Sequence, residues 1–176
     1  MRQEERRAKT RDALLRAALS GFAESGYDGS SLDSIAAAAG LSKGAIYAHF
    51  ETKLHLYGAV TTKVLADANA RNRAVSEALA TGIPLYVAVE RYFDAAGGHE
   101  HAAFITDLWQ TATRQLAIRA LLEDFRIVRL EQFSAAAISA GHRPGAALEM
   151  SATAGKLVDA DTLYRGLGAA AVLRTG

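Results

Sequence analysis

Apolar residues in the first third of the chain recur at helical spacing. Leu14, Ala18 and Phe22 stand four apart, a stripe that predicts an amphipathic helix over residues 10–25, ended by Gly26 and the loop "GYDG". Ser31 precedes a second stripe of Leu32, Ile35 and Ala39, which makes it an N-cap. Gly40 suits the position just past that helix. A third, short helix is expected over 42–50. Leu41 and Ile46 fall at the two ends of a hydrophobic staple around the N-cap Ser42. Ile46 and Phe50, four apart, share its inner face. Gly44 and Ala48 then point farthest outward, flanked by Ala45 and Tyr47.

Beyond this the pattern lengthens. A fourth helix is expected over 52–79, capped by the Thr52 hydroxyl and weakened at Gly58. "TGIP" at 81–84 is a boundary, with Pro84 placed for a first helical turn. "LYVAVERYFDAA" continues as helix up to Gly97 and Gly98. Another helix over 100–113 carries Trp109. The segment 114–140 has Ile118, Leu122, Phe125, Val128 and Phe133 as its buried side. "GHRPG" stops it, and 146–173 is expected as two short helices broken near "VDAD". Alternating strand-type runs are nearly absent, so the fold class is all-α. The expected organisation is an N-terminal three-helix domain with a helix-turn-helix over 1–53, followed by a helical bundle over 54–176.

Composition narrows the class. The chain has 176 residues, half of them hydrophobic and 22% charged, which is enough to bury a core. It has no cysteine, hence no disulfide framework and no thiolate metal site. The sequence has neither the apolar run of a membrane span nor the apolar core of a signal peptide, so a soluble, cytoplasmic protein is expected. The net charge is only +1. Within residues 1–16, however, Arg2, Arg6, Arg7, Lys9, Arg11 and Arg16 face Glu4, Glu5 and Asp12, a local excess of +3. Such an arm can grip phosphate, or it can be a solvated terminus. Residues 1–53 hold eight Lys or Arg against seven Asp or Glu, so any affinity for nucleic acid must come from placement rather than bulk charge.

A short helix, a turn on "AGLS" and another short helix form a helix-turn-helix pattern. The stretch "GYDGSSLDSIAAAAGLSKGAIYAHFETKLHLY", with the amphipathic helix ahead of it, resembles the DNA-binding domain of TetR-family transcriptional regulators. The match is dense over about residues 10–60. It includes Ser-Lys-Gly, then Tyr, His-Phe and a Lys three residues on. Past residue 60 only the architecture corresponds.

The resemblance implies roles for particular residues. Ser31 would bind a phosphate at the start of the second helix. Ser42 and Lys43 would meet the DNA backbone at the start of the recognition helix. Tyr47, His49 and Lys53 would supply further phosphate contacts, which position the protein without reading sequence. Base reading falls to Ala45, Ala48 and the Gly44 backbone. Family members often carry Thr or Ser where Ala45 stands and a larger side chain where Ala48 stands, so hydrogen-bonded reading is not implied at these positions. On the residues alone, Tyr47 could equally be a packing aromatic and His49 a half-buried neighbour of Phe50.

The family resemblance also implies a homodimer on paired half-sites, joined through the last two helices. Small residues fill that region: Ala147, Ser151, Ala154, Gly155, Gly166 and Gly168 to Ala171. It further implies a small-molecule cavity in the second domain. Tyr86, Tyr92, Phe93, Phe104, Trp109, Phe125 and Phe133 are the candidate walls, which suggests an apolar or aromatic effector. Asp107, Gln110 and Arg114 near Trp109 are candidates to orient it. No cofactor is implied. "GGHEH" at 97–101 offers His99, Glu100 and His101 with a remote His142, but a solvated loop explains it better than zinc. Two rival classes remain. A helical enzyme lacks support, since there is no cysteine, Gly-rich phosphate loop or nucleophile elbow. A helical interaction module with a vestigial helix-turn-helix would fit the same pattern without binding DNA.

Overall fold

The computed structural model describes residues 2–83 and 98–139. Among them every regular element is a helix: α1 Arg2–Gly29, α2 Leu32–Ala38, α3 Lys43–Tyr47, α4 Lys53–Ala80, α5 Gly98–Ala112 and α6 Leu116–Ser139. The helices expected between Pro84 and Gly97 and over 146–173 lie outside the described residues, as does the small-residue dimer surface.

Local signals account for most boundaries. Helical geometry in α1 breaks at Gly26, which has φ +69° and ψ 175°, and resumes over residues 27–29, so the expected loop "GYDG" is a kink followed by one short helical turn. The helix starts earlier than its apolar stripe suggests, at Arg2, so the basic arm is itself helical and Arg6 Nε donates to the Arg2 carbonyl. Thr52 Oγ1 accepts the His55 N–H at 3.1 Å and caps α4, which runs unbroken through Gly58. The His-Glu-His stretch is the first turn of α5 rather than a loop. There Glu100 accepts a hydrogen bond from the Ser20 hydroxyl on α1. No group of three metal-ligating side chains comes together among the described residues.

In α6 the buried side departs from the expected one. Ile118 and Leu122 are buried and Phe125 partly so, but Val128 is 37% exposed. At about 100° per residue Val128 lies about 80° off the line through Ile118, whereas Arg129 lies about 20° off it. Arg129 and Gln132 therefore continue the inner face as half-buried side chains. Gln132 Nε2 donates to the Asn69 carbonyl on α4 at 3.4 Å.

The buried core is continuous from Leu14, Ala18 and Phe22 through Ile35, Ile46 and Phe50 to Val60, Phe104, Leu108, Ile118 and Leu122. Tyr57 of α4 sits at its centre, fully buried. Its ring meets Phe22 edge-on at 4.8 Å, Tyr27 edge-on at 5.0 Å and Phe104 at 5.2 Å. Burying that phenol requires a partner for its hydroxyl. Asp107 of α5 provides it, accepting the Tyr57 hydroxyl at 2.7 Å.

The same carboxylate accepts the Tyr27 backbone N–H at 3.1 Å to each oxygen. Gly26 makes this approach feasible. Its left-handed φ favours glycine, and a Cβ there would come within 2.9 Å of Asp107 Oδ1. Burial, followed by the Asp107 hydrogen bond, pushes the Tyr57 phenol far above its ordinary pKa. It therefore stays a donor across the accessible pH range.

Replacing Asp107 with Leu strands the Tyr57 hydroxyl and the Tyr27 N–H together. It should cost about 3 kcal/mol of stability, at about 1–3 kcal/mol per buried unsatisfied group. Asp107→Asn keeps one acceptor oxygen and should cost less. Urea unfolding of the two variants checks the order, and equal losses would mean that packing rather than hydrogen bonding matters at this position.

Candidate nucleic-acid interface

The helix-turn-helix is assembled from local caps. Ser31 Oγ accepts the Ser34 N–H at 3.1 Å, and Ser34 Oγ accepts the Ser31 N–H at 3.2 Å, a reciprocal capping box. At the other end of α2, Gly40 has φ +67°. The Gly40 N–H bonds the Ala37 carbonyl at 3.0 Å and the Leu41 N–H bonds the Ala36 carbonyl at 2.9 Å. This is a Schellman ending, which closes α2 and turns the chain sharply. Ser42 Oγ then accepts the Ala45 N–H at 3.2 Å and opens α3.

Ile46 and Phe50 are fully buried and anchor α3 to the core. Their burial decides what faces outward. Lys43, Gly44, Tyr47 and Ala48 are exposed, while Ala45 and His49 are half-buried. Tyr47 is 45% exposed and is not a core aromatic. Its ring lies 5.8 Å from the Lys43 ammonium. Lys43 Nζ also bonds Asp33 Oδ2 of α2 at 2.6 Å, and this bond raises the lysine pKa. Both partners are exposed, so the pair is easily exchanged for another anion.

His49 stands where α3 meets α1. Its ring is tilted against Phe50 at 6.3 Å. Partial burial, then the charges of Arg7 and Arg11, lower its pKa below the ordinary histidine value. Arg11 itself lies over the Phe50 ring at 4.8 Å. The basic arm and the end of the third helix thus form one cationic edge. Arg7 and Arg11 belong to it, and the local excess of charge in residues 1–16 was their only trace in the sequence.

Lys53 is placed differently from the expected phosphate contact. Its ammonium points inward, donating to the carbonyls of Tyr27 at 2.7 Å and Ser30 at 3.0 Å, with Asp28 at 3.5 Å. It also lies 4.4 Å from the Tyr27 ring centroid. Three carbonyls take its three donors, so Lys53 fixes the loop that delivers Ser31 to the start of α2. From the body side, Arg114 pairs with Asp28 at 2.8 Å. Asp107 of α5 and Arg114 of the turn after it, the candidates to orient a ligand, both bond the segment that follows Gly26.

The aromatic residues proposed as cavity walls do not converge among the described residues. Phe104 is fully buried against Phe22 and Tyr57, Trp109 is 47% exposed, and Phe125 packs at the edge of the core. Tyr86, Tyr92 and Phe93, and the side chain of Phe133, lie outside the described residues.

Comparison with known proteins gives this arrangement a context. The model of the tetR family of bacterial regulatory proteins matches residues 14–60. Over 53 residues the chain is 47% identical to the HTH-type transcriptional repressor BepR of Brucella suis, a stretch covering 30% of this chain and 25% of that repressor. In fold, the chain is similar to a TetR-family regulator from Mesorhizobium loti, at TM-score 0.70 and 20% identity over 91% of this chain and 96% of the other. A tetR-family regulator from Streptomyces coelicolor superposes at TM-score 0.68, with 24% identity over 90% of this chain and 71% of that one. Salmonella enterica GusR follows at TM-score 0.63 and 22% identity, over 85% and 82% of the two chains. The family match falls on the capped turn and on the buried anchors Ile46 and Phe50, and the fold likeness runs through the helices behind them; residues 14–60 are a helix-turn-helix segment of the tetR-family type, and the whole chain shares the fold of the solved regulators.

Proposed function

We propose that the protein is a sequence-specific double-stranded DNA-binding transcriptional repressor, acting as a homodimer in the cytoplasm and released from its operator by a small-molecule effector. The observation that carries this reading is the outward face of α3. Polar groups ring a small-residue centre, and the buried Ile46 and Phe50 hold that face rigidly outward. Ser31, Ser42, Lys43, Tyr47 and His49 are the phosphate contacts, with Arg7 and Arg11 beside them. Gly44, Ala45 and Ala48 approach the bases, where methyl groups can meet thymine methyls. Lys53 acts chiefly by holding the loop before α2. The protein has no proposed enzymatic activity, and among the described residues no helix is long and apolar enough to cross a membrane.

Dimerisation through the C-terminal helices would set two α3 helices about one DNA turn apart, or a multiple of it. The effector would sit in the body and shift the balance between dimer states with different α3 spacing. Asp107 and Arg114 are suited to carry that shift, since both grip the loop that leads into α2. The aromatic residues suggest an apolar or aromatic effector. Buried Asn72, with Asn69 and Gln132 nearby, has a side-chain nitrogen without a partner among the described residues. This favours an effector that also forms hydrogen bonds.

The founding test is a titration of purified protein on its own promoter region against random duplex at moderate salt; equal affinity for both defeats the proposal. Lys43→Ala should weaken binding to all duplexes and flatten the salt dependence by about one unit of log–log slope, the signature of one lost phosphate contact. Lys53→Ala should instead lower the melting temperature of the free protein and weaken binding through disorder of the loop. A melting temperature left unchanged would return Lys53 to the phosphate contacts.

Ala48→Gln places a hydrogen-bonding side chain against the bases. It should alter the preferred sequence in a selection from random duplexes, or abolish docking by bulk. An unchanged preference would remove Ala48 from the groove.

His49 gives a pH signature. Its folded pKa is depressed, so the free protein favours the neutral ring. Phosphate beside it would raise that pKa, so binding takes up a proton. Affinity should therefore increase as pH falls through the bound-state pKa and level off below the free-state pKa. His49→Gln should remove that increase in a pH series of DNA titrations.

A further inference from the structure

An open groove of about 570 Å³ lies where α1, the start of α4 and the first turns of α6 meet. This volume is within the range of about 300–1,000 Å³ typical of small-molecule sites. Leu54 of α4 and Ile118 and Leu121 of α6 form its apolar walls, Arg11 and His55 bring two nitrogen-bearing side chains, and no carboxylate lines it. Arg11 is held in place by its stacking on Phe50, and His55 by its edge-on contact with the same ring at 5.5 Å. Among the described residues no acceptor takes the Arg11 guanidinium N–H groups.

The floor of the groove carries a second signal. Gly58 lies in the second turn of α4, with a helical backbone and no positive φ. A Cβ added there would meet Ile118 Cδ1 at 3.9 Å, an ordinary contact. Neither backbone conformation nor packing demands glycine, and glycine weakens a helix interior relative to alanine. Its effect here is to leave open the space between α4 and α6.

We propose that this groove binds an amphipathic monocarboxylate, with the carboxylate on the Arg11 guanidinium and the His55 ring and the apolar tail over Gly58 between Leu54 and Leu121. Arginine presents paired donors suited to a carboxylate. Thr52 and Thr62 also line the groove, but their hydroxyls are engaged with the His55 N–H and the Gly58 carbonyl, which leaves Leu54, Ile118 and Leu121 to meet the tail. None of Phe104, Trp109 and Phe125, the described candidates for effector walls, lines this groove, which is built from α1, the start of α4 and the first turns of α6. It joins head to body at a place where a ligand touches both.

The test uses the full chain without DNA, so that it stands apart from the proposed repressor activity. Sodium octanoate is titrated by isothermal calorimetry, with octan-1-ol and octylamine as controls. Octanoate should bind saturably, and both controls should bind at least about ten-fold more weakly, the scale of one lost charge-assisted contact. Arg11→Gln removes the anion partner and Ala117→Trp fills the groove from an exposed position on α6. Each should weaken octanoate by a similar factor. No saturable binding overturns the proposal. Equal binding of octan-1-ol would mean apolar partition only, and unchanged binding in both variants would place octanoate elsewhere; either result also overturns it.

Discussion

The Asp107 carboxylate is the group on which the head-to-body geometry depends. It accepts the Tyr57 hydroxyl and the Tyr27 N–H, and so ties α5, α4 and the end of α1 at one point. Each partner needs the others. Tyr57 can be buried at the centre of the aromatic cluster only because its hydroxyl is satisfied. The Tyr27 N–H is freed from the helix by the break at Gly26, and Gly26 leaves the room in which the carboxylate sits. A half-buried carboxylate is tolerated because three hydrogen bonds replace its lost water. Apolar packing alone would join α1 to α5 without fixing where the chain turns into α2.

From that point the recognition face follows by short-range steps. The loop after Gly26 is held by Lys53 from the head and by Arg114 from the body. Ser31 then caps α2, Gly40 ends it, and Ser42 caps α3. Ile46 and Phe50 have nowhere to go but the core, which leaves the small side chains outward. A face with so little to offer in hydrogen bonds gains close approach of its backbone to a duplex. On the proposed reading, discrimination would then draw on DNA shape and on the edge formed by Arg7 and Arg11 beside His49.

What could be read from the sequence was what is local. The caps Ser31, Ser42 and Thr52, the helix-ending Gly40 and the i, i+4 anchors Ile46 and Phe50 all involve residues within five of each other, and the structure has each where the local pattern expects it. The all-helical class followed from the same periodicity. The contacts that local pattern does not reveal share a different property. Asp107 reaches Tyr27 across 80 residues and Tyr57 across 50, and Arg114 reaches Asp28 from the turn after α5. No spacing rule connects such pairs, and in the sequence the neighbour that Asp107 and Arg114 visibly share is Trp109. The inward placing of Lys53 was hidden for a related reason: a lysine beside a helix-turn-helix looks the same in sequence whether its ammonium faces solvent or three carbonyls. Val128 was a smaller error of phase, in which an apolar residue attracted the stripe away from the helical line that Arg129 occupies.

The ties around the loop differ in strength, and this bears on how a regulator of the proposed kind would move. Arg114 and Asp28 are both largely exposed, and such a pair contributes about 0–1 kcal/mol. The Asp107 knot is half-buried, and breaking it strands buried groups at about 1–3 kcal/mol each. Allosteric coupling needs only about 1–3 kcal/mol between sites. A body that shifts α5 can therefore release Arg114 at little cost while the Tyr57–Asp107 bond persists as a pivot. The loop and α2 would then follow the displacement of Asp107, with Lys53 free to exchange among the three carbonyls it already faces. Motion about a retained buried hydrogen bond changes the angle of α3 without opening the core, so the head can remain folded in both states.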